Sequence, residues 1–290
     1  ACRNRRNRAR REPRVRLAYF GTPAMAVPSL TALVAAGHEV AIVVTRVDKR
    51  RGRGGELSPS PVKQAALALG LPVSHDVDDV LGKGIELGVV VAFGQLIKPH
   101  VLAEVPMVNS HFSLLPRWRG AAPVERAVLA GDAETGVCLM QLEEGLDTGG
   151  VYDTVRVPIG AAMTADELRR ELVAAGCEQL VRCLAGPLPT PTPQVGEPLY
   201  AAKITPDDRR IRWAQGAQQI DRVIRRGGAW TTFREKRVKV LSATLDSSAR
   251  VAPCPVAGLT LQSVQPEGKG PMPFADFARG ARPAAAEWFV

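Results

Sequence analysis

From Val15 to Gly186 the chain alternates apolar runs of strand length with stretches of helical period, and no other feature limits its fold as strongly. Val15–Phe20 reads as a buried strand that ends in the turn Gly21-Thr22-Pro23. Met25, Val27, Leu30, Leu33 and Val34 then share one helical stripe, which Gly37 stops. Glu39–Thr45 reads as a second strand, and Val89–Phe93, Met107–Asn109 and Val137–Leu142 as further ones. Ser60-Pro61 places an N-cap and an N1 proline ahead of a helix ending near Gly70, and Pro123–Ala130 forms another helix. Thr164-x-x-Glu167 is a capping box, and the helix it opens turns Leu168, Leu172, Leu180 and Leu184 inward. Strands alternating with helices predict an α/β domain with a doubly wound, mostly parallel sheet.

The pattern breaks after Gly186. Pro187, Pro189, Pro191, Pro193 and Pro198 crowd a segment that can be neither helix nor central strand, so 187–205 reads as a linker. Beyond it one short helix, Ala217–Arg226, precedes β-prone pieces at Trp230–Phe233, Arg237–Ser242 and Leu259–Val264, as in a small barrel or sandwich. The expected organisation is a disordered basic extension at 1–14, an α/β domain at 15–186, the linker, and a small β domain at 206–290.

A chain of 290 residues, 46% of them apolar, can bury a large core. Its apolar runs, such as 88–93, are far shorter than a membrane span, so no membrane partner is expected. The five cysteines form no CxxC pair and cannot all pair off. That usage suits free thiols in the cytoplasm, with no metal cage and no disulfide frame. The net charge of +9 is uneven: residues 1–16 hold eight Arg and one Glu, 206–290 hold fourteen basic and eight acidic side chains, and 17–205 is net −4. Within that acidic stretch, 46–55 carries Arg46, Lys49, Arg50, Arg51 and Arg53 against Asp48 alone. An acidic body with a basic loop and a basic C-terminal part has the field that steers polyanions.

Open α/β sheets bind ligands beyond the carboxyl ends of their strands. Two polar runs fall there: Asn109-Ser110-His111-Phe112-Ser113 after one strand, and Glu143-Glu144-Gly145-Leu146-Asp147-Thr148-Gly149 after another. On a continued strand Asn109 and His111 point to the same side. An amide, an imidazole and a carboxylate from neighbouring loops suit acyl transfer to an amine, two groups holding an oxyanion and one managing a proton. Ser110 and Ser113 do not sit in G-x-S-x-G, which disfavours a serine nucleophile. Gly21-Thr22-Pro23 lacks the dinucleotide spacing, and Gly52, Gly54 and Gly55 lack the Lys-Ser/Thr ending of a phosphate loop.

The run Asn109-x-His111-x-Ser113-Leu114-Leu115-Pro116, extended by Arg117-Trp118-Arg119-Gly120-Ala121-Ala122-Pro123 and joined by Gly145-Leu146-Asp147-Thr148-Gly149, resembles the folate-dependent formyltransferase family. Ser58-Pro59-Ser60-Pro61-Val62-Lys63 and the Arg-Trp-Arg-Gly extension resemble its methionyl-tRNA branch. The resemblance implies a Rossmann-like catalytic domain and a C-terminal OB-like β-barrel that helps hold tRNA. It implies catalytic roles for Asn109, His111 and Asp147, and folate contacts at Ser113, Leu114, Leu115 and Pro116. It also implies insertion of the loop bearing Lys49, Arg50, Arg51 and Arg53 into the tRNA acceptor stem. The implied co-substrate is 10-formyltetrahydrofolate and the implied partner initiator methionyl-tRNA, met by a monomer without a metal. The chain departs from the family in a shortened 75–87 segment, in Arg225-Arg226-Gly227 where a Pro-containing turn is usual, and in a compressed 246–262. Competing expectations are formylation of an amino-sugar nucleotide or of glycinamide ribonucleotide, and a non-catalytic folate- or RNA-binding module.

Overall fold

The computed structural model describes residues 14–51, 55–246, 254–284 and 287–290. The expected N-terminal extension, apart from Arg14, and Gly52, Arg53 and Gly54 of the basic loop lie outside the described residues. The chain divides into two compact units that do not follow chain order. One gathers 1–119, 136–156 and 171–198, and the other 120–135, 157–170 and 199–290.

The first unit is built on a seven-stranded sheet. Its strand order is Val151–Pro158, Glu134–Gln141, Met107–His111, Leu87–Val91, Arg16–Gly21, Glu39–Val44, Val73–Ser74. Leu17, Ala18, Tyr19 and Phe20 are fully buried, as a central strand covered on both faces requires. Arg16–Gly21 pairs in parallel with both Glu39–Val44 and Leu87–Val91, and Met107–His111 adds in parallel beyond. Glu134–Gln141 then runs antiparallel to Met107–His111. The order reverses between Arg16–Gly21 and Leu87–Val91, which puts the sheet's topological switch point, the place where open α/β sheets bind ligands, at the carboxyl ends of those strands. Gly21 closes the first strand where a Cβ would lie 2.9 Å from the Tyr19 ring and 3.2 Å from Val91 O. Phe20, Val44, Val90, Phe93, Ile97 and Met107 pack one side of the sheet, with Phe20 and Phe93 edge to face at 5.5 Å.

The doubly wound, mostly parallel sheet matches the sequence expectation, and the differences are local. The segment of the basic loop contains an antiparallel hairpin of Lys49–Arg51 and Glu56–Ser58. Val151–Pro158 is a strand the sequence hides, because Asp153, Thr154 and Arg156 interrupt its apolar residues, and it lies at the sheet's edge with most residues partly or fully exposed. Val27–Ala35 and Pro61–Ala68 are helices as expected, the second capped by Ser60 Oγ accepting from Lys63 N–H.

The second unit carries helices Pro123–Ala130 and Ala217–Arg226 and a four-stranded antiparallel sheet. The strands are Trp230–Phe233, Lys236–Leu245, Leu259–Pro266 and Met272–Pro273, in that order. Ile220, Val223 and Ile224 turn inward from Ala217–Arg226 onto Val238, Val240, Leu261 and Val264. A cluster of rings completes this core: Phe277 lies 5.6 Å from Phe233 and 5.9 Å from Phe289, which stacks on Trp213 at 5.7 Å. The capping box forms as read, with Thr164 N–H donating to Glu167 and Glu167 N–H to Thr164 Oγ1. Among the described residues no helix is long and apolar enough to cross a membrane.

Candidate active site

Pairing with Glu134–Gln141 extends the Met107–His111 strand two residues past its expected end, because Asn109 lies opposite Met140 and His111 opposite Cys138. The pleat then sends Asn109 and His111 to one side. Ser110 points the other way: its Oγ is buried with no hydrogen-bond partner among the described residues, and a Cβ added to Gly176 would meet it at 3.2 Å.

Asp147 comes from the loop after Glu134–Gln141 and closes the group. Its Oδ1 accepts from Asn109 Nδ2 at 3.4 Å, and its Oδ2 lies 3.6 Å from His111 Nδ1. Its side chain is 12% exposed and that of His111 6%, so the charge and the ring interact with little water between them. The other ring nitrogen of His111, Nε2, is 2.9 Å from Trp118 O. A carbonyl oxygen can only accept, so Nε2 carries a hydrogen and proton exchange is confined to Nδ1, the nitrogen that faces Asp147. One amide and one imidazole therefore meet two oxygens of one carboxylate. Such a group can hold developing negative charge and move a proton over a short path.

The turn after the strand shapes the wall beside this group. Ser113 is fully buried, with its N–H donating to His111 O at 3.0 Å and its hydroxyl to Arg117 O at 2.6 Å. Its hydroxyl is committed to the turn, whereas Leu114, Leu115 and Pro116 are partly exposed and offer apolar surface. Trp118 takes φ 64 and has the Arg117 guanidinium 4.6 Å from its ring centre. The Pro-rich segment read as a linker also touches this region. Thr192 exchanges two backbone hydrogen bonds with Val151, and the Gln194 side chain reaches the Asp147 loop. Sequence reasoning missed Gln194. The only signal was a single amide side chain among prolines.

The basic residues lie elsewhere in the first unit. Lys49 and Arg50 are exposed on the hairpin, whose root is tied by Lys63 Nζ donating to Asp48 Oδ2 at 2.7 Å. Arg51 belongs to the same strand, and Arg53 lies outside the described residues. In the second unit Arg210 and Arg237 stand 5.7 and 4.3 Å from the Trp230 ring centre, a basic and aromatic face of the kind that meets nucleic acid. Among the described residues no group of His, Cys, Asp or Glu could hold a metal ion.

Comparison with known proteins places these features in a family. The sequence pattern described as "Formyl transferase" matches residues 14–184, and that of "Formyl transferase, C-terminal domain" matches 203–258. A protein of Dinoroseobacter shibae named methionyl-tRNA formyltransferase is 44% identical over 93% of this chain and 95% of its own length. One of the same name from Thermobifida fusca is 42% identical over 95% of this chain and 99% of its own. The fold is similar to that of the N-formyltransferase from Helicobacter canadensis solved with folinic acid and dTDP-3-aminofucose (TM-score 0.66, 17% identity, 87% of this chain and 99% of that one).

Proposed function

This chain belongs to the formyl transferase family, and from that premise we propose that it transfers the formyl group of 10-formyltetrahydrofolate to the free amine of methionyl-tRNA. The relatives at 41–44% identity that span nearly its whole length are named for that activity. Folate as the formyl donor is supported by the folinic acid in the Helicobacter canadensis neighbour. A polyanionic acceptor is supported by the exposed Lys49 and Arg50 and by the Arg210–Trp230–Arg237 face, neither of which a small amine requires.

The observation that carries the reading is the meeting of Asn109 and His111 on the two oxygens of Asp147. The methionyl α-amine attacks the formyl carbon on N10 of the folate, and the carbonyl π pair moves onto oxygen. Asn109 Nδ2–H and His111, in the form that carries a proton at Nδ1 as well as at Nε2, stabilise that oxyanion. Asp147 accepts the proton lost by the attacking nitrogen and returns it to N10 as the C–N10 bond breaks and the carbonyl re-forms. Leu114, Leu115 and Pro116, with Ser113 fixing their turn, line the folate side. Lys49, Arg50, Arg51 and Arg53 enter the acceptor stem, and the 206–290 domain holds tRNA phosphates. The domain limits that go with this reading are a catalytic domain at 15–186, a connecting segment at 187–205 and the tRNA-binding domain at 206–290. The enzyme is taken to work as a cytoplasmic monomer.

The test is incubation with 10-formyltetrahydrofolate and methionine-charged initiator tRNA, with formylmethionine released and quantified. Charged elongator tRNA and dTDP-amino sugars are run beside it. Formylmethionine on the initiator species is the expected product. Formylation of an amino sugar with none of methionine would overturn the reading.

A further inference from the structure

Gln194 spends its whole hydrogen-bonding capacity between a catalytic loop and a distant arginine. Its Nε2 donates to Asp147 O and to Gly149 O, each at 2.8 Å. Its Oε1 accepts from Arg119 Nε at 3.0 Å and from Arg119 Nη2 at 2.7 Å. A primary amide has two donor hydrogens and two acceptor lone pairs, so all four are used. The guanidinium can only donate and the two carbonyls can only accept, which leaves one orientation of the amide. The backbone two residues before Gln194 is pinned as well, because Thr192 and Val151 exchange two hydrogen bonds of 2.8 Å.

The loop held in this way needs holding. Asp147 has φ 51, in the left-handed region that costs a residue with a side chain stability unless its surroundings impose it. Gly149 packs so close to the neighbouring strand that an added Cβ would lie 2.0 Å from Gln141 O, so the loop cannot shift inward. A relaxation of Asp147 to ordinary dihedrals would swing its carboxylate relative to Asn109 and His111.

We infer that Gln194, itself fixed by Arg119, is a positioning residue that holds Asp147 in the left-handed conformation from which its carboxylate faces Asn109 and His111. This rests on the reading that Asp147 handles the proton in formyl transfer. The segment between the two family patterns is thereby part of the active-site scaffold rather than a spacer.

Gln194→Glu separates the two halves of the clamp. It keeps an acceptor for Arg119 but turns an acceptor toward two carbonyl oxygens. Displacements of about 1 Å at a reacting group can cost ~10²-fold, so kcat is expected to fall about 10–100-fold with both KM values within about twofold. Gln194→Ala should lose a similar amount. In an Asp147→Asn background, Gln194→Glu should cost less than about threefold further, because the group it positions is already disabled. Hydrogen exchange should quicken across 143–150 in the Glu variant while the Arg16–Gly21 and Leu87–Val91 strands keep their protection. Arg119→Lys, which keeps the charge but not the two-pronged geometry, should give a smaller loss of the same kind.

Unchanged kcat, a full multiplicative loss on top of Asp147→Asn, or unaltered exchange across 143–150 would each overturn the inference. The exchange measurement stands apart from the reaction. If the wild-type chain made no formylmethionine, the functional reading would fall, and exchange would still decide whether the clamp holds the loop.

Discussion

On and beside the Met107–His111 strand Asn109, His111 and Asp147 meet one another inside the protein, while on the Trp230–Phe233 and Lys236–Leu245 strands every polar side chain except that of Thr231 stands outward. In the first region His111, Ser113 and Asp147 are all buried, and the named bonds fix Nε2 of one, the hydroxyl of another and a carboxylate between two partners. In the second, Arg237 and Lys239 are exposed, Trp230 is half exposed, and only the inward residues Thr231, Phe233, Val238 and Val240 are buried. The difference fits the two roles proposed for these surfaces. Stabilising charge that develops on one atom needs fixed dipoles with little water nearby. Attracting a polyanion needs net charge and tolerates loose geometry, because counterion release depends on how many phosphates are neutralised rather than on where each contact falls.

If the contrast holds, Asn109→Ala should give the largest effect. Removing one oxyanion donor costs ~10²–10³ in kcat, or about 2.7–4 kcal/mol. Because Asn109 is only half-buried, the variant should unfold at nearly the wild-type temperature. Single-turnover kinetics beside a thermal melt checks both, and full turnover would remove Asn109 from the chemistry. Next in size, Ala at Arg210 and Arg237, or at Lys49 and Arg50, should raise KM for tRNA about 5–20-fold with kcat and the folate KM unchanged. The plot of log affinity against log salt should also become shallower by about 1–2. A fall in kcat instead would show that these surfaces act on the reacting atoms and would erase the contrast.

The smallest effect sharpens the view of the second unit. Burial pushes the Asp208 carboxyl up, but the Thr205 N–H, the bidentate Arg126 guanidinium and the Thr205 hydroxyl outweigh it and hold it at about 2. A carboxylate depressed from the usual value of about 3.9 lends stability that is present above pH 4 and lost as the pH falls toward 2. Asp208→Asn should therefore be less stable than wild type near neutrality, and the two melting temperatures should converge between about pH 4 and pH 2. Parallel curves across that window would remove Asp208 as a source of acid sensitivity.

Most of the central sheet was legible because its strands are buried on both faces and read as unbroken apolar runs. Leu17–Phe20 and Val89–Val91 leave little choice of state. Ala217–Arg226 was legible to the residue because Ile220, Val223 and Ile224 mark one stripe and Gly227 ends it. Val151–Pro158 was not, since an edge strand needs no apolar run, and neither was Phe274–Ala281, whose eight residues bury Phe274 alone. In the candidate site, Asn109 and His111 were visible from their i, i+2 spacing on a strand end. Asp147 entered through motif resemblance, and its approach to them could not be read from a separation of 38 residues. Gln194 offered nothing beyond a single amide side chain among prolines.

The sequence by itself settled the class of fold, the places where chain direction changes, and the residue types available for acyl transfer, because periodicity, caps and prolines act through neighbours in the chain. Tertiary structure alone decided which carboxylate faces the imidazole, which ring nitrogen donates to a backbone carbonyl, and that a proline-rich stretch is hydrogen-bonded to the Asp147 loop. Those outcomes depend on bonds between residues tens of positions apart, whose geometry is fixed only when the sheet assembles and water is driven out.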